Sequence, residues 1–208
     1  MTWQMIHAER AALAADLAQL TDLEWAVPSL CEDFSVREVL AHLTAGASLN
    51  PVTWMAGVIW CRFDFDKQVE MRLRQRLGAS PTDTLTRFSR VVTSTTKPPL
   101  SVAAMLGESV VHAEDIRQPL GIGREYPIET LTAVAEYYQA SDMPVMTKSR
   151  AAGLRLTATD GPFAAGEGQE VSGRTLALIM AMAGRAAYCD DLTGDGVAVL
   201  RGRKVVTR

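Results

Sequence analysis

Helix-start signals recur through the first 150 residues of this chain and then stop. Ser35 is followed three residues later by Glu38, which is the spacing of a capping box. Ser80 stands before a proline, and Ser101 precedes another apolar segment. The segment from Thr53 to Leu77 is predicted to be helical as well. Residues 1–150 are therefore predicted to form a helical domain.

Beyond residue 150 the sequence pattern changes. Residues 154–159 alternate apolar and polar side chains, which is the period of a β-strand. An apolar segment from Ser172 or Gly173 through Ala183 predicts a short helix, and Val197 to Leu200 predicts another strand. Residues 151–208 are thus predicted to form a small α/β domain, which makes the fold class α+β.

Composition excludes several classes of protein. Of the 208 residues 48% are hydrophobic and 22% are charged, which is ordinary for a globular protein. The net charge is −3 without a basic run, so no nucleic-acid partner is expected. The longest apolar run, Val52 to Cys61, is about half of a membrane span. Three widely spaced cysteines, Cys31, Cys61 and Cys189, favour free thiols in a reducing cytoplasm.

One helical segment carries a row of metal-capable side chains. Glu108 and His112 are four residues apart and Asp115 follows three residues later, so all three lie on one face of a helix. The chain has only three histidines, and His42 on the second predicted helix is the natural third ligand. Two nitrogens and one carboxylate oxygen would leave a coordination position open, as in catalytic metal sites.

The spacing alone leaves other interpretations open. A Glu-x-x-x-His pair on a helix also occurs as a solvated ion pair, and His42 could be a core histidine. Asp115 could orient His112, or it could bond Arg117 or nearby backbone. Zinc suits the ligand set best, although Ni²⁺, Mn²⁺ and Fe²⁺ accept the same donors.

The motifs in order resemble the mycothiol-dependent maleylpyruvate isomerase family, which belongs to the DinB-like superfamily of actinobacteria. The resemblance covers nearly the whole chain. It lies in Trp25, Pro28-Ser29, Cys31 and residues 34–43, in Gly107–His112 with Asp115 and Leu120-Gly121, and in residues 156–160, 171–173, 184–185 and 192–196. It implies a DinB-like antiparallel four-helix bundle followed by a small α/β C-terminal domain.

The resemblance also implies a chemistry. The family's metal ligands match His42, Glu108 and His112, and its C-terminal arginine is best matched by Arg185, which could equally cap a helix. In the family's isomerase, the thiolate of mycothiol adds to the double bond of maleylpyruvate, the bond rotates, and elimination gives fumarylpyruvate. Other members of the superfamily would transfer mycothiol to other electrophiles, and the sequence does not separate the two reactions.

Two hypotheses of different class follow. The first is a metal-dependent enzyme that uses mycothiol for isomerisation or S-transfer on a small electrophilic acid, with zinc as the expected metal and a monomer or weak homodimer as its state. The second is a non-catalytic DinB-like module that binds metal or is associated with stress. A plain helical scaffold would require His42, Glu108 and His112 to lie apart.

Overall fold

The computed structural model describes residues 1–31 and 34–203. Contacts between residues divide the chain into two compact units, Met1–Arg124 and Glu125–Arg208. The helices over residues 128–151 belong to the second unit by this measure. The domain boundary after residue 150 stays a prediction, because a compact unit need not be a domain.

The first unit is helical throughout its regular structure. Its α-helices are listed here in chain order: α1 (Thr2–Leu17), α2 (Val36–Gly46), α3 (Pro51–Trp60), α4 (Phe65–Arg76), α5 (Pro81–Ser89) and α6 (Val102–Arg117). Ser35 caps α2 and forms the predicted capping box with Glu38. The predicted caps Ser80 and Ser101 accept hydrogen bonds from the first turns of α5 and α6.

Four of these helices surround one hydrophobic core. Helix α1 contacts α5 and α6, and α2 contacts the same two helices, so the four close into a bundle. Their buried side chains form one cluster that includes Leu13, Leu40, Phe88 and Ile116. Arg117, fully buried near the end of α6, binds Asp16 of α1 through Nε (2.8 Å) and Nη2 (2.7 Å). Helix α6 is thereby fixed at the centre of the unit.

The single helix predicted from Thr53 to Leu77 is in fact two helices. Helix α3 ends at Trp60, and the chain turns before α4 begins at Phe65. The amide of Phe63 donates to the carbonyl of Val58, and the amide of Arg62 donates to that of Ile59. This pair of bonds is a Schellman motif, which usually has glycine at the position that Arg62 occupies. Arg62 and Phe63 instead have φ values of 56° and 65°.

The second unit combines helices with a small sheet. Its elements are α7 (Ile128–Ala140), α8 (Thr147–Ala151), β1 (Leu154–Ala158), β2 (Ala164–Ala165), β3 (Gln169–Gly173), α9 (Thr175–Met182), β4 (Leu192–Thr193) and α10 (Val197–Gly202). The strand order is β2-β1-β3-β4, with β1 and β3 parallel and the other pairs antiparallel. Leu156 and Val171 are paired in register and fully buried. The predicted α+β fold class is confirmed.

Two local predictions in this unit are wrong. Val197 to Leu200 lies in helix α10, not in a strand, because a short apolar run has no period that separates the two. Residues 172 and 173 end strand β3, and the apolar helix begins at Thr175. The Asp160 carboxylate accepts hydrogen bonds from the amide (2.8 Å) and hydroxyl (2.6 Å) of Thr175. These bonds fix the start of α9.

A buried arginine connects the helices of the second unit. Arg150 is 5% exposed and donates hydrogen bonds to the carbonyls of Met182 (2.9 Å), Ala181 (3.2 Å) and Leu200 (3.2 Å). It also bonds the carbonyl of Arg203. These acceptors lie at the C-terminal ends of α9 and α10, where helix carbonyls lack partners and the helix dipole favours a cation.

The strained end of α3 generates a prediction about stability. A non-glycine residue in the left-handed region costs about 1–2 kcal/mol, so Arg62→Gly should raise the free energy of unfolding by about 1 kcal/mol. Urea denaturation measures the change. Arg90→Gly is the matched control, since Arg90 also follows a helix but has φ −68°. That variant should not be stabilised, and a destabilised Arg62→Gly would contradict the strain argument.

Candidate metal centre

Helices α2 and α6 bring the predicted ligands together. His42 lies on α2 beside the buried Val39 and Leu43, and Glu108 and His112 lie one turn apart on α6. Because α2 and α6 contact each other, the His42 side chain reaches the Glu108 carboxylate. The capping box at Ser35 fixes where α2 begins, and the Arg117–Asp16 pair anchors the end of α6.

One carboxylate oxygen lies between two imidazoles. Oε2 of Glu108 is 3.5 Å from Nε2 of His42 and 3.4 Å from Nε2 of His112. One ligand atom from each of the three residues lies within 4.8 Å of the others. The side chains of His42, Glu108 and His112 are 26%, 18% and 12% exposed, so solvent reaches the cluster. The two imidazole rings meet edge to face, 4.9 Å apart.

Asp115 holds the far side of His112. Its Oδ2 lies 2.9 Å from Nδ1 of His112, and the Asp115 side chain is fully buried. A proton on Nδ1 then satisfies this carboxylate and leaves Nε2, which faces Glu108, free to act as a ligand. A carboxylate behind a ligating histidine is the usual arrangement around protein-bound zinc. Of the two roles left open for Asp115, this geometry supports the orienting one.

The charges of the cluster compensate one another. Burial acts to raise the pKa of the Glu108 carboxyl, but attraction to His112 and hydrogen bonds with both imidazoles hold that pKa well below its usual range. Burial acts to lower the pKa of His112, whereas Glu108, Asp115 and Cys31 together raise it well above its ordinary value. These shifts favour, in the metal-free site, a carboxylate paired with an imidazolium. A divalent cation would replace that proton, so binding would release it.

Cys31 lies beside His112, although the sequence indicated it only as part of the first motif and as a free thiol. A ligand-capable set made of Cys31, His112 and Asp115 also lies within 4.8 Å. The amide of Leu30 donates to the carbonyl of Asp115 (3.0 Å), which fastens the Cys31 loop to α6. The sequence signal that could have placed Cys31 at the site was its position in the first motif, ahead of the helix that carries His42. Its contact with α6 depends on tertiary packing and could not be read from spacing.

Arg185 lies in the second unit, directly after α9. Its Nη1 donates a 2.7 Å hydrogen bond to the carbonyl of Ala183 at the end of that helix. This bond corresponds to the helix-capping alternative. The role of Arg185 in binding substrate stays a prediction.

The comparisons agree with the family that the motifs indicate. Residues 6–97 match the family model described as the mycothiol maleylpyruvate isomerase N-terminal domain. The chain is also similar to the crystal structure of the mycothiol-dependent maleylpyruvate isomerase, with a TM-score of 0.60, 13% identity and coverage of 93% of this chain and 91% of that chain. For the crystal structure of a histidine-to-alanine mutant of that isomerase, the TM-score is 0.58 and the identity 12%, over the same shares of the two chains. The resemblance predicted from the sequence is confirmed, and the structural matches establish a common fold.

No curated protein matches the chain significantly in sequence. Within residues 1–31 and 34–203, no helix is both long and apolar enough to cross a membrane.

The charge pairing at Glu108 can be measured in the metal-free protein. We expect the His112 imidazole to titrate above its ordinary pKa. Glu108→Gln should lower that pKa, because it removes the negative charge that opposes the effect of burial. Proton–nitrogen NMR of the histidine side chains, recorded with a chelator present, measures both midpoints. His7, which bonds the carbonyl of Ser94, is the internal control. An unchanged His112 midpoint in Glu108→Gln would refute the pairing.

Proposed function

We propose that this protein is a metal-dependent enzyme that uses mycothiol to isomerise, or to transfer the thiol to, a small electrophilic acid. The single observation that carries the proposal is the convergence of His42, Glu108 and His112, with Asp115 behind His112. The residues fit a divalent cation because they offer two imidazole nitrogens and an ionised carboxylate, a donor set that suits zinc. They also leave room for a further ligand, as a catalytic site requires.

The residues of the site have separate tasks in this proposal. His42, Glu108 and His112 hold the metal. Asp115 keeps a proton on Nδ1 of His112, so that Nε2 stays available as a ligand. A bound divalent metal supplies positive charge that lowers the pKa of a nearby thiol and favours the thiolate at neutral pH. That thiolate belongs to mycothiol, which the family name and the structural relatives indicate.

Arg185 is proposed to bind a carboxylate of the substrate. Its guanidinium is always charged and can bind a carboxylate through two parallel hydrogen bonds. The bond to the Ala183 carbonyl uses Nη1 and would position the rest of the fork. The cytoplasmic location, zinc as the metal and a small electrophilic acid as the substrate are further parts of the proposal.

The competing hypothesis is a DinB-like module that binds metal but does not catalyse. It shares the metal site, so metal content does not separate the two hypotheses. Turnover does: purified protein with mycothiol and maleylpyruvate should yield fumarylpyruvate, or a mycothiol adduct when other electrophilic acids are supplied. Metal binding without turnover across a panel of such acids would favour the non-catalytic module.

Metal binding is the first expected outcome. Protein purified without chelators should hold about one equivalent of zinc, and His42→Ala and His112→Ala should remove it, because each loses one of three ligands. At a free zinc concentration about 100 times the dissociation constant, binding should add roughly 2.7 kcal/mol to the free energy of unfolding. Elemental analysis and thermal melting with and without chelator measure both effects.

His7→Ala is the matched control for metal binding, since His7 is the remaining histidine and bonds the Ser94 carbonyl. It should keep the metal and the response to chelator. Asp115→Ala should bind metal about 10–100-fold more weakly without abolishing binding. Equal metal content in wild type, His42→Ala and His112→Ala would refute the site.

The arginine proposal predicts a selective loss of turnover. Arg185→Ala should lower kcat/KM for a carboxylate substrate by roughly tenfold to a hundredfold, because a charged hydrogen bond contributes about 1.5–3 kcal/mol. Its metal content should not change. Arg174→Ala is the matched control, since Arg174 also belongs to the second unit and is exposed. Equal turnover in both variants would leave Arg185 as a helix cap.

A further inference from the structure

The outer face of α3 carries large apolar side chains that the described chain does not cover. Trp60 is 80% exposed, Val52 78%, Phe63 68%, Ile59 62% and Met55 47%. The helical residues among them lie on one side of α3, because positions 52, 55, 59 and 60 follow the i, i+3, i+7, i+8 spacing. We call these five side chains the α3 patch.

We propose that the α3 patch is the interface of a homodimer, with the same patch of a second copy of this chain as its partner. The proposal goes beyond the catalytic function and does not depend on it. A helix that is apolar on all sides is normally buried on all sides. Helix α3 buries only the side of Gly57 and Val58, and within residues 1–31 and 34–203 no second layer covers its outer side.

Helix α3 is held firmly against α4. Nε2 of Gln68 donates to the carbonyl of Trp54 (2.9 Å), and Nη2 of Arg72 donates to that of Thr53 (2.6 Å). A Cβ at Gly57 would approach the Arg72 and Gln68 side chains to 2.7 and 2.9 Å, so glycine permits this close contact. The patch is therefore a preformed surface on an anchored helix.

The turn after α3 extends the patch. Arg62 and Phe63 both occupy the left-handed region, which is unusual for a bulky residue, and Phe63 remains 68% exposed. Backbone strain persists where function or surrounding structure requires it. Burial of Phe63 against a partner would be such a requirement. Two independent features, helix composition and turn geometry, thus point to the same surface.

The size of the patch matches a dimer interface. Trp60 and Phe63 alone expose roughly 220–370 Å², taking about 150–250 Å² for each aromatic side chain, and Val52, Met55 and Ile59 add further apolar surface. A stable interface of standard size buries about 800 Å² per partner, of which about 56–58% is apolar, or roughly 450 Å². The patch is therefore of the size that the apolar part of such an interface needs.

The charges beside the patch favour a second copy over a lipid surface. Arg62 and Lys67 are exposed next to Asp64 and Asp66, Arg74 is paired with Glu70 (2.7 Å), and Arg72 bonds the carbonyl of Thr53, so this rim carries four cations and three carboxylates. Anionic membranes select clusters of cations, whereas the cations of this rim alternate with carboxylates. A two-fold dimer instead places one patch against itself, and a rim of mixed sign can then pair with its own copy.

Sedimentation analysis of the full chain tests the proposal. Wild-type protein should dimerise reversibly, with a dissociation constant below about 100 μM. Trp60→Glu should raise the dimer dissociation constant at least 30-fold, because it removes a large aromatic contact and places a charge in the buried interface. Leu23→Glu is the matched control, since Leu23 is 84% exposed in the same unit but outside the patch, and its dissociation constant should be unchanged.

Thermal melting and circular dichroism verify that the variants are folded. If Trp60→Glu does not fold, Val52→Lys at the other end of the patch replaces it, with the same expected loss of dimer. The proposal is overturned if wild-type protein is monomeric at about 100 μM, or if both patch variants dimerise as wild type does. Binding of wild-type monomer to anionic phospholipid vesicles, lost in Trp60→Glu, would also overturn it in favour of a membrane surface.

Discussion

One largely buried carboxylate, Glu108, connects the two helices that build the candidate site. Removing a charge from most of its water is unfavourable unless partners compensate, and Glu108 obtains its partners from two different helices. This compensation requires α2 and α6 to pack with His42 and His112 on facing turns. It also gives Asp115 its place, because His112 needs an acceptor at its second nitrogen. The same arrangement that makes the charge tolerable makes the site attractive to a divalent cation.

Local chemistry explains why much of the first unit could be predicted. Ser35, Ser80 and Ser101 accept hydrogen bonds from amides only three residues away, so their sequence signal is complete within one turn. The candidate ligands were predictable because histidine is scarce and two of the three groups share one helix face. Their meeting with His42 depends on tertiary packing. The sequence indicated it through motifs shared with a family, and spacing alone did not demand it.

The missed features lack a local signal for identifiable reasons. Glycine usually follows a helix that ends in this way, but Arg62 takes the left-handed position after α3, so no sequence signal marked the break before α4. The four-residue run from Val197 to Leu200 suits a helix and a strand equally. Strand β3 gains its partners from β1 and β4, which are distant in sequence, so its pairing could not be inferred locally. Cys31 approaches His112 through a loop whose attachment is made by backbone atoms.

The buried Arg150 makes the second unit depend on the residues at the end of α10. Main-chain carbonyls near the ends of two helices accept the hydrogen bonds of its guanidinium, and one of these acceptors is the carbonyl of Arg203. Carbonyls do not titrate, so moderate acid should leave this core charge solvated. Deleting the chain from Val197 onward would instead remove the carbonyls of Leu200 and Arg203, and the buried Arg150 would lose these two hydrogen-bond acceptors. Affinity tags should therefore be placed after residue 203, and truncated variants should keep α10 intact.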